Sequence, residues 1–431
     1  MNSCGEATPL HPCYAAPPSK PPRKWELITR LPHLQKPAGL RTSRQMKLHE
    51  AIMDMSIKCT RRRFLTGLAS LGAVVGAGLW PRSSLAAKET IGGLPVIKSE
   101  FDLDFQWPVQ DPFIFCVHHH DNYPRGMPSL GPDPKHLQGR NIGQDFAPKD
   151  GFRMYHGETV PGFPVHPHRG FETVTIVRKG YVDHADSMGA AGRYGEGDVQ
   201  WMTAGSGIQH SEMFPLLRQD DDNTLELFQI WLNLPAKNKM VKPHFSMFWS
   251  EKIPQIHLDS NRVHINLIAG KWGDTLALAP PPDSWASRPE SDISIWLIRI
   301  LPGGRLSLPT TPAPASRMVY FFEGEGLLLN GKKVEGSKGL SVDSRSQTEL
   351  AAGSSAIEVL ILQARPIGEP VVQHGPFVMN TRAEIFQAFE DYKNTQFGRW
   401  PWPRHEMVHG SALERFAKYP DGRIEKPKRS G

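Results

Sequence analysis

The stretch from Gly162 to Glu212 carries a doublet of metal-binding residues at each end, His166-Pro-His168 and His210-Ser-Glu212. On an extended chain, residues two apart share a face, so each doublet aims both of its side chains one way. Pairing the two segments as strands brings three imidazoles and a carboxylate to one point. A three-nitrogen, one-oxygen donor set of this kind suits Fe(II), Mn(II), Ni(II), Cu(II) or Zn(II). A lone His-x-His is weak evidence, because histidines recur by chance in cores and on surfaces. Here the pair is reinforced by the proline between its members, by Glu172 four residues on, by the alternating run Thr173 to Val177, and by the Gly-rich approach to His210. Glu172 and Glu212 compete for the carboxylate position.

These residues also carry a likeness. HPHRGFETVTIVRKG and GDVQWMTAGSGIQHSEMF resemble the two metal-bearing motifs of the pirin family, a branch of the cupin superfamily, and RPIGEPVVQHGPFVMN at residues 365–380 resembles its C-terminal signature. The likeness runs from Phe113 to Gly398. It implies a mainly β fold of two stacked antiparallel cupin β-barrels, a bicupin, with iron in the N-terminal barrel and a short helix at the C-terminal end. Pirins are similar to this chain in holding their carboxylate in the second motif, which implies His166, His168, His210 and Glu212 as ligands. General cupins take it from the first, which would be Glu172; otherwise Glu172 is expected to orient a ligand imidazole through its other nitrogen.

Pirins further resemble quercetin 2,3-dioxygenases. The implied partners are a flavonol-like phenol or enol and O2, the implied reaction is oxidative opening of the flavonol's central ring, and Glu212 is the implied base for the 3-hydroxyl. Fe(II) is the expected metal, with Mn, Ni, Cu or Zn as alternatives. The competing reading is a metal-dependent redox sensor without turnover, since pirin relatives include transcriptional cofactors.

Charge bears on that choice. The formal net charge is +6, but the first 87 residues hold 13 of the 50 Lys and Arg and only 4 of the 44 Asp and Glu, so the rest of the chain is net −3. A basic stripe for nucleic acid is not expected. The excess sits in residues 1–52, read as disordered or as sequence upstream of the true start, and in residues 53–87. There Thr60-Arg61-Arg62-Arg63-Phe64-Leu65, an apolar Gly/Ala-rich stretch and Ser84-Leu85-Ala86 resemble a cleavable twin-arginine export signal. The apolar run lies near the lower limit for a membrane span and is diluted with glycine, so cleavage is expected rather than a membrane anchor. A periplasmic monomer, exported by the twin-arginine machinery, is the expectation. Of the four cysteines only Cys116 follows the cleavage point, so the mature chain has no internal disulfide.

The remaining chain is expected to divide into a metal-binding barrel over 88–255, a second barrel over 256–380, and a helix with an irregular tail over 381–431. Its 39 Gly and 39 Pro break the sequence into short apolar runs, as a turn-rich β protein requires. His118-His119-His120 read as loop or strand-end residues, Asp121 to Asp150 as a long loop of the lid type, and Tyr155, His156 and Glu158 as candidates for the pocket mouth. Asp183-His184-Ala-Asp186 reads as a solvated turn, and Phe171, Trp201, Met202 and Phe228 as walls of the barrel interior. In the second barrel Thr310, Pro312 and Ser316 fall where the first has His166, His168 and Glu172, and no histidine occurs between His264 and His374. Thr381-Arg-Ala-Glu384 is a capping box for a helix reaching about Lys393, with Ile385, Phe386, Phe389 and Tyr392 on its apolar side.

Overall fold

The strand Phe171–Lys179 is buried along nearly all of its length, and the reason sets the architecture. Its odd residues face the inside of one barrel. Its even residues Val174 and Ile176 pack with Leu360 and Leu362 of the other. A strand covered on both sides reads as a near-continuous apolar run rather than an alternating one.

The computed structural model describes residues 96–427. The export signal and the segment before it lie outside the described residues. The first barrel is built from two antiparallel sheets. One runs His244–Phe248, Val199–Thr203, Phe171–Lys179, Asn223–Asn233 and Phe113–Tyr123 in spatial order. The other runs Ile424–Glu425, Phe416–Lys418, Ala191–Gly195, Tyr181–Asp186, Ile208–Met213 and Gly162–His168. The second barrel pairs a seven-stranded sheet with a four-stranded one, and its interior is a packed aliphatic core that includes Ile265, Ile298, Leu329, Leu340 and Ile361. No helix among the described residues is long and apolar enough to cross a membrane.

The barrels exchange ends. The first described strand, Ile97–Asp102, pairs with Lys338–Val342 at the edge of the second barrel. The last segment returns to the first barrel, where Phe416–Lys418 pairs with Ala191–Gly195. The boundaries expected from the sequence therefore do not coincide with the barrels. The opening strand belongs to the second barrel, and the tail, irregular over 399–415 as expected, then adds two short strands to the first. Between the five- and seven-stranded sheets lies a shared core containing Trp107, Trp201, Phe228 and Tyr320. Trp201 and Phe228 thus seal the interface between barrels and do not line the cavity.

Other expectations are corrected by burial. Asp183, His184 and Asp186 are 0% exposed, within a strand rather than a solvated turn. The Arg193 guanidinium donates to both Asp183 carboxylate oxygens at 2.7 and 2.6 Å and to the carbonyls of Gly410 and Ala412 in the returning tail. The helix Arg382–Thr395 carries the expected capping box and packs Ile385 and Ala388 on Phe377 and Met379. Phe386, placed on its apolar side from the sequence, is 71% exposed.

Arg193→Ala should leave a buried, uncompensated Asp183 and an undocked tail. A loss of about 3–5 kcal/mol is expected, read from the midpoint and slope of urea unfolding. A loss under about 1 kcal/mol would mean that the ion pair does not hold the tail.

Candidate metal centre

The register of one strand pair assembles the centre. His166 lies opposite His210, and Phe163 opposite Glu212. Three residues on one strand thus span the same length as two on the other, a bulge at Pro164-Val165 that re-aims the histidines. The extra residue is bonded elsewhere, with the Val165 N–H donating to the carbonyl of His405 at 3.1 Å. Gly162 begins the strand at φ +130°, where a Cβ would stand 2.4 Å from the Glu212 carbonyl oxygen; the close approach needs glycine.

Ligand nitrogens of His166, His168 and His210 lie within 4.8 Å of one another. Two of the rings are held by their far nitrogens. His166 Nδ1 donates to the carbonyl of Pro164 at 2.8 Å, and His168 Nδ1 to that of Pro376 at 3.4 Å. Both tautomers leave Nε2 bare. Neither nitrogen of His210 has a partner among the described residues although both are buried, and its Nε2 is 3.9 Å from Glu212 Oε2. A buried imidazole with no hydrogen bond is costly unless something accepts its lone pair. Burial pushes His166 down to about 4 and His168 and His210 well below the usual histidine range, so all three are neutral, as metal ligation requires. Burial pushes the Glu212 carboxyl up to about 7, so a cation beside it is what would hold it ionised. This donor set fits a divalent metal.

Glu212 is positioned by the barrel wall. Its Oε2 accepts from Gln229 Nε2 at 3.0 Å, and the Thr175 hydroxyl, which donates to Gln229 Oε1 at 2.5 Å, lies 3.3 Å from its Oε1. Neither partner was identified from the sequence, although a single glutamine inside the apolar run Leu225 to Leu232 was the available signal. Glu172 is placed elsewhere. Its oxygens accept from the hydroxyls of Thr203, at 2.6 Å, and Ser284, on the strand face turned to the second barrel. It orients no imidazole. That task falls to backbone carbonyls and, for His168, to the rings of Phe171 and Trp231 at 5.0 and 5.3 Å.

The segment resembling the C-terminal signature also belongs to this centre, not to the second barrel. Val378 N–H donates to the Arg169 carbonyl at 3.0 Å, and Arg169 Nη1 donates to Asp391 of the helix at 2.7 Å. Gly170, at φ +84°, would place a Cβ 2.0 Å from the Val378 carbonyl oxygen.

The three histidines and Glu212 face unequal volumes. His166, His168 and Glu212 line a cavity of about 490 Å³, walled by Phe105, Phe115, Phe146, Phe163, Phe214 and Trp231. Glu212 is the only carboxylate among its lining residues. Of the pocket-mouth candidates His156 lines it, and so does Phe146 from the expected lid loop. His119, read as loop or strand end, lines it too, from inside the strand Phe113–Tyr123.

Two cupin barrels, one solid and one hollow with a histidine triad at its cavity, define a bicupin with a single candidate metal centre among the described residues. The pirin model matches residues 135–232 and the pirin C-terminal cupin domain model residues 295–398. The chain is 36% identical over 239 residues to a Pseudomonas aeruginosa protein named "Putative quercetin 2,3-dioxygenase", covering 55% of this chain and 80% of that one. It is 38% identical over 242 residues to Pirin-1 of Arabidopsis thaliana, covering 55% and 78%. The crystal structure of quercetin 2,3-dioxygenase from Acinetobacter baumannii superposes with a TM-score of 0.56 at 26% identity, over 70% of this chain and 98% of that one. The chain belongs to the pirin family.

Glu172 generates a pH prediction. Burial raises its carboxyl to about 7, against the lowering effect of Ser284 and Thr203. Its folded value lies above the unfolded one, so the folded state favours the protonated form. That contribution is complete below about pH 4.5 and is lost as pH rises through about 7. Glu172→Gln imitates the protonated form, so its stability relative to wild type should rise by up to ~3 kcal/mol between those pH values. Urea unfolding at several pH values measures the difference; a flat difference would contradict it.

Proposed function

We propose that the chain is a metal-dependent dioxygenase of the quercetin 2,3-dioxygenase type, opening the central ring of a flavonol-like substrate with O2. The observation that carries this reading is the aromatic-walled cavity lined by His166, His168 and its only carboxylate, Glu212, with His210 completing the cluster of neutral imidazoles beside it. The names of the Pseudomonas relative and of the Acinetobacter structure agree with it. His166, His168, His210 and Glu212 would hold the metal, with Fe(II) the first choice and Mn, Ni, Cu or Zn the alternatives. A divalent iron there supplies a Lewis-acidic centre and the electron path that ground-state O2 needs.

The chain's own residues do the rest. Phe163, Phe214 and Trp231 offer flat apolar faces to a planar substrate and exclude water. Glu212 takes the proton of the substrate's enolic hydroxyl, while Thr175 and Gln229 keep its carboxylate aimed into the cavity. Glu212→Gln should therefore lose more metal and more turnover than Glu172→Gln, whose side chain lies on the other face of its strand. The reverse order would favour ligation through the first motif.

Quercetin added without air to the Fe(II)-loaded protein should shift its absorption band as the hydroxyl ionises beside the cation, and admitting air should bleach it. His210→Ala should carry at least about tenfold less metal and show neither change. A shift without bleaching would favour the sensing role. No shift, with iron verified in the protein, would remove flavonols as the substrate class.

We also propose export by the twin-arginine route, on the strength of Arg61-Arg62-Arg63 and the apolar run after it. That route carries folded proteins, so iron would enter in the cytoplasm, away from more strongly binding Cu(II) and Zn(II). Replacing Arg61 and Arg62 together by lysine should retain the precursor inside the cell, because lysine lacks the planar guanidinium donors; undiminished periplasmic protein would refute the route.

A further inference from the structure

The metal doublets account for one end of the cavity. His119 lines the same space, with the Phe163 ring between, 6.0 Å from His119 and 6.3 Å from His166. Behind His119 lies a chain of polar side chains that no part of the metal centre uses. His119 Nδ1 is 2.8 Å from the Tyr155 hydroxyl. That hydroxyl donates to Asp121 Oδ2 at 2.5 Å, and Arg153 Nη1 donates to Asp121 Oδ1 at 3.0 Å. His119, Tyr155 and Asp121 are 4%, 0% and 0% exposed.

Burial raises the Asp121 carboxyl, while the Tyr155 hydroxyl and the Arg153 guanidinium lower it; with Asp121 ionised by its pair with Arg153, the chain of bonds has one proton arrangement. Asp121, paired with Arg153, is a carboxylate and can only accept. Tyr155 has one hydroxyl proton and gives it to Asp121, so its oxygen must accept from His119 Nδ1–H. The neutral ring then carries no proton on Nε2. Burial pushes His119 down to about 3, and His118 and Arg153 lower it further, so the ring does not charge at working pH. Nε2 has no partner among the described residues. Tyr155 is also held with a backbone φ of +56°, pinned by a reciprocal pair of backbone bonds to Asp145 at 2.8 and 3.0 Å. A tyrosine held in that sparsely populated region is a local strain that its surroundings enforce.

We propose that His119 is a specificity residue of the cavity: the Tyr155–Asp121–Arg153 chain fixes it as a hydrogen-bond acceptor that recognises a hydroxyl group on a substrate whose other end lies at the histidine triad. Resting on the flavonol reading, this narrows the substrate class to polyhydroxylated aromatics. A ligand with a hydroxyl at that place satisfies a buried acceptor, and one without it leaves the acceptor unpaired. A ligand offering only a carbonyl there would set two acceptors against each other.

The test compares dissociation constants of quercetin and of 3-hydroxyflavone, which keeps only the hydroxyl proposed to meet the metal. Both are titrated without air into Fe(II)-loaded wild type, His119→Phe and Tyr155→Phe. Wild type should prefer quercetin, and His119→Phe should reduce that preference by about fivefold. Tyr155→Phe leaves the imidazole in place but frees its tautomer, and should reduce the preference by a smaller factor. A merely structural role would weaken both ligands alike. Histidine side-chain 15N spectra of the Zn(II)-loaded protein, assigned by difference with His119→Phe, should show the proton on Nδ1 in wild type and its loss from that nitrogen in Tyr155→Phe. An unchanged preference in both variants, or an Nε2–H tautomer in wild type, overturns the subsite while leaving the flavonol reading intact. Wild type binding neither compound overturns the flavonol reading, and this subsite's ligand with it.

Discussion

The pairing of Gly162–His168 with Ile208–Met213 is the contact on which the site depends. Side chains alternate along a strand, so a slip of one residue would turn His210 and Glu212 away from the cavity and break the donor set. The bulge at Pro164-Val165 fixes that register from one side, because the His405 carbonyl takes the N–H of its extra residue. Gly162 fixes it from the other, since only a residue without a Cβ tolerates the distance to the facing strand. The geometry of four side chains thus follows from backbone constraints a few residues away.

The two barrels answer the same topology with different interiors. In the second, leucine, isoleucine and valine at alternate positions fill the space. In the first, the corresponding inward positions hold Phe115, Val117 and His119 on one strand and Leu227, Gln229 and Trp231 on its neighbour. Aromatic rings packed on edges and at angles leave a cavity where aliphatic side chains would interdigitate. Its polar groups are few and each is braced from behind: Glu212 by Thr175 and Gln229, His119 by Tyr155, and His166 and His168 by backbone carbonyls. The solid barrel serves the hollow one by covering its outer face, through the shared core around Trp201 and Tyr320.

What the sequence revealed was local or periodic. His166, His168, His210 and Glu212 were legible because a period of two places each pair on one face. The helix was legible because its capping box lies within four residues. Period alone does not say which face of a strand is the inside, and there Glu172, Trp201 and Phe228 were misread. Their three strands belong to one sheet covered on both sides, so their alternation carries no label. Asp183, His184 and Asp186 read as solvated because the tail that covers them arrives from residues 410–418, more than two hundred positions away. The barrel assignments of the two chain ends failed for the same reason: pairing Ile97–Asp102 with Lys338–Val342 leaves no mark on either segment.

The exchange of chain ends has a consequence for the order in which the molecule can be made. During synthesis the first barrel emerges with all its candidate metal ligands, yet without Pro376, whose carbonyl sets the His168 tautomer, and without the strand Phe416–Lys418 that pairs with its Ala191–Gly195 edge. The second barrel, meanwhile, takes its edge strand, Ile97–Asp102, from a segment translated ahead of the first barrel. The contacts that finish both halves join segments more than two hundred residues apart, which makes their formation slow. Completion of the candidate metal pocket is therefore a late event, and a premature stop after Glu212 but before Pro376 would yield a chain with every candidate ligand present and no finished site to hold them.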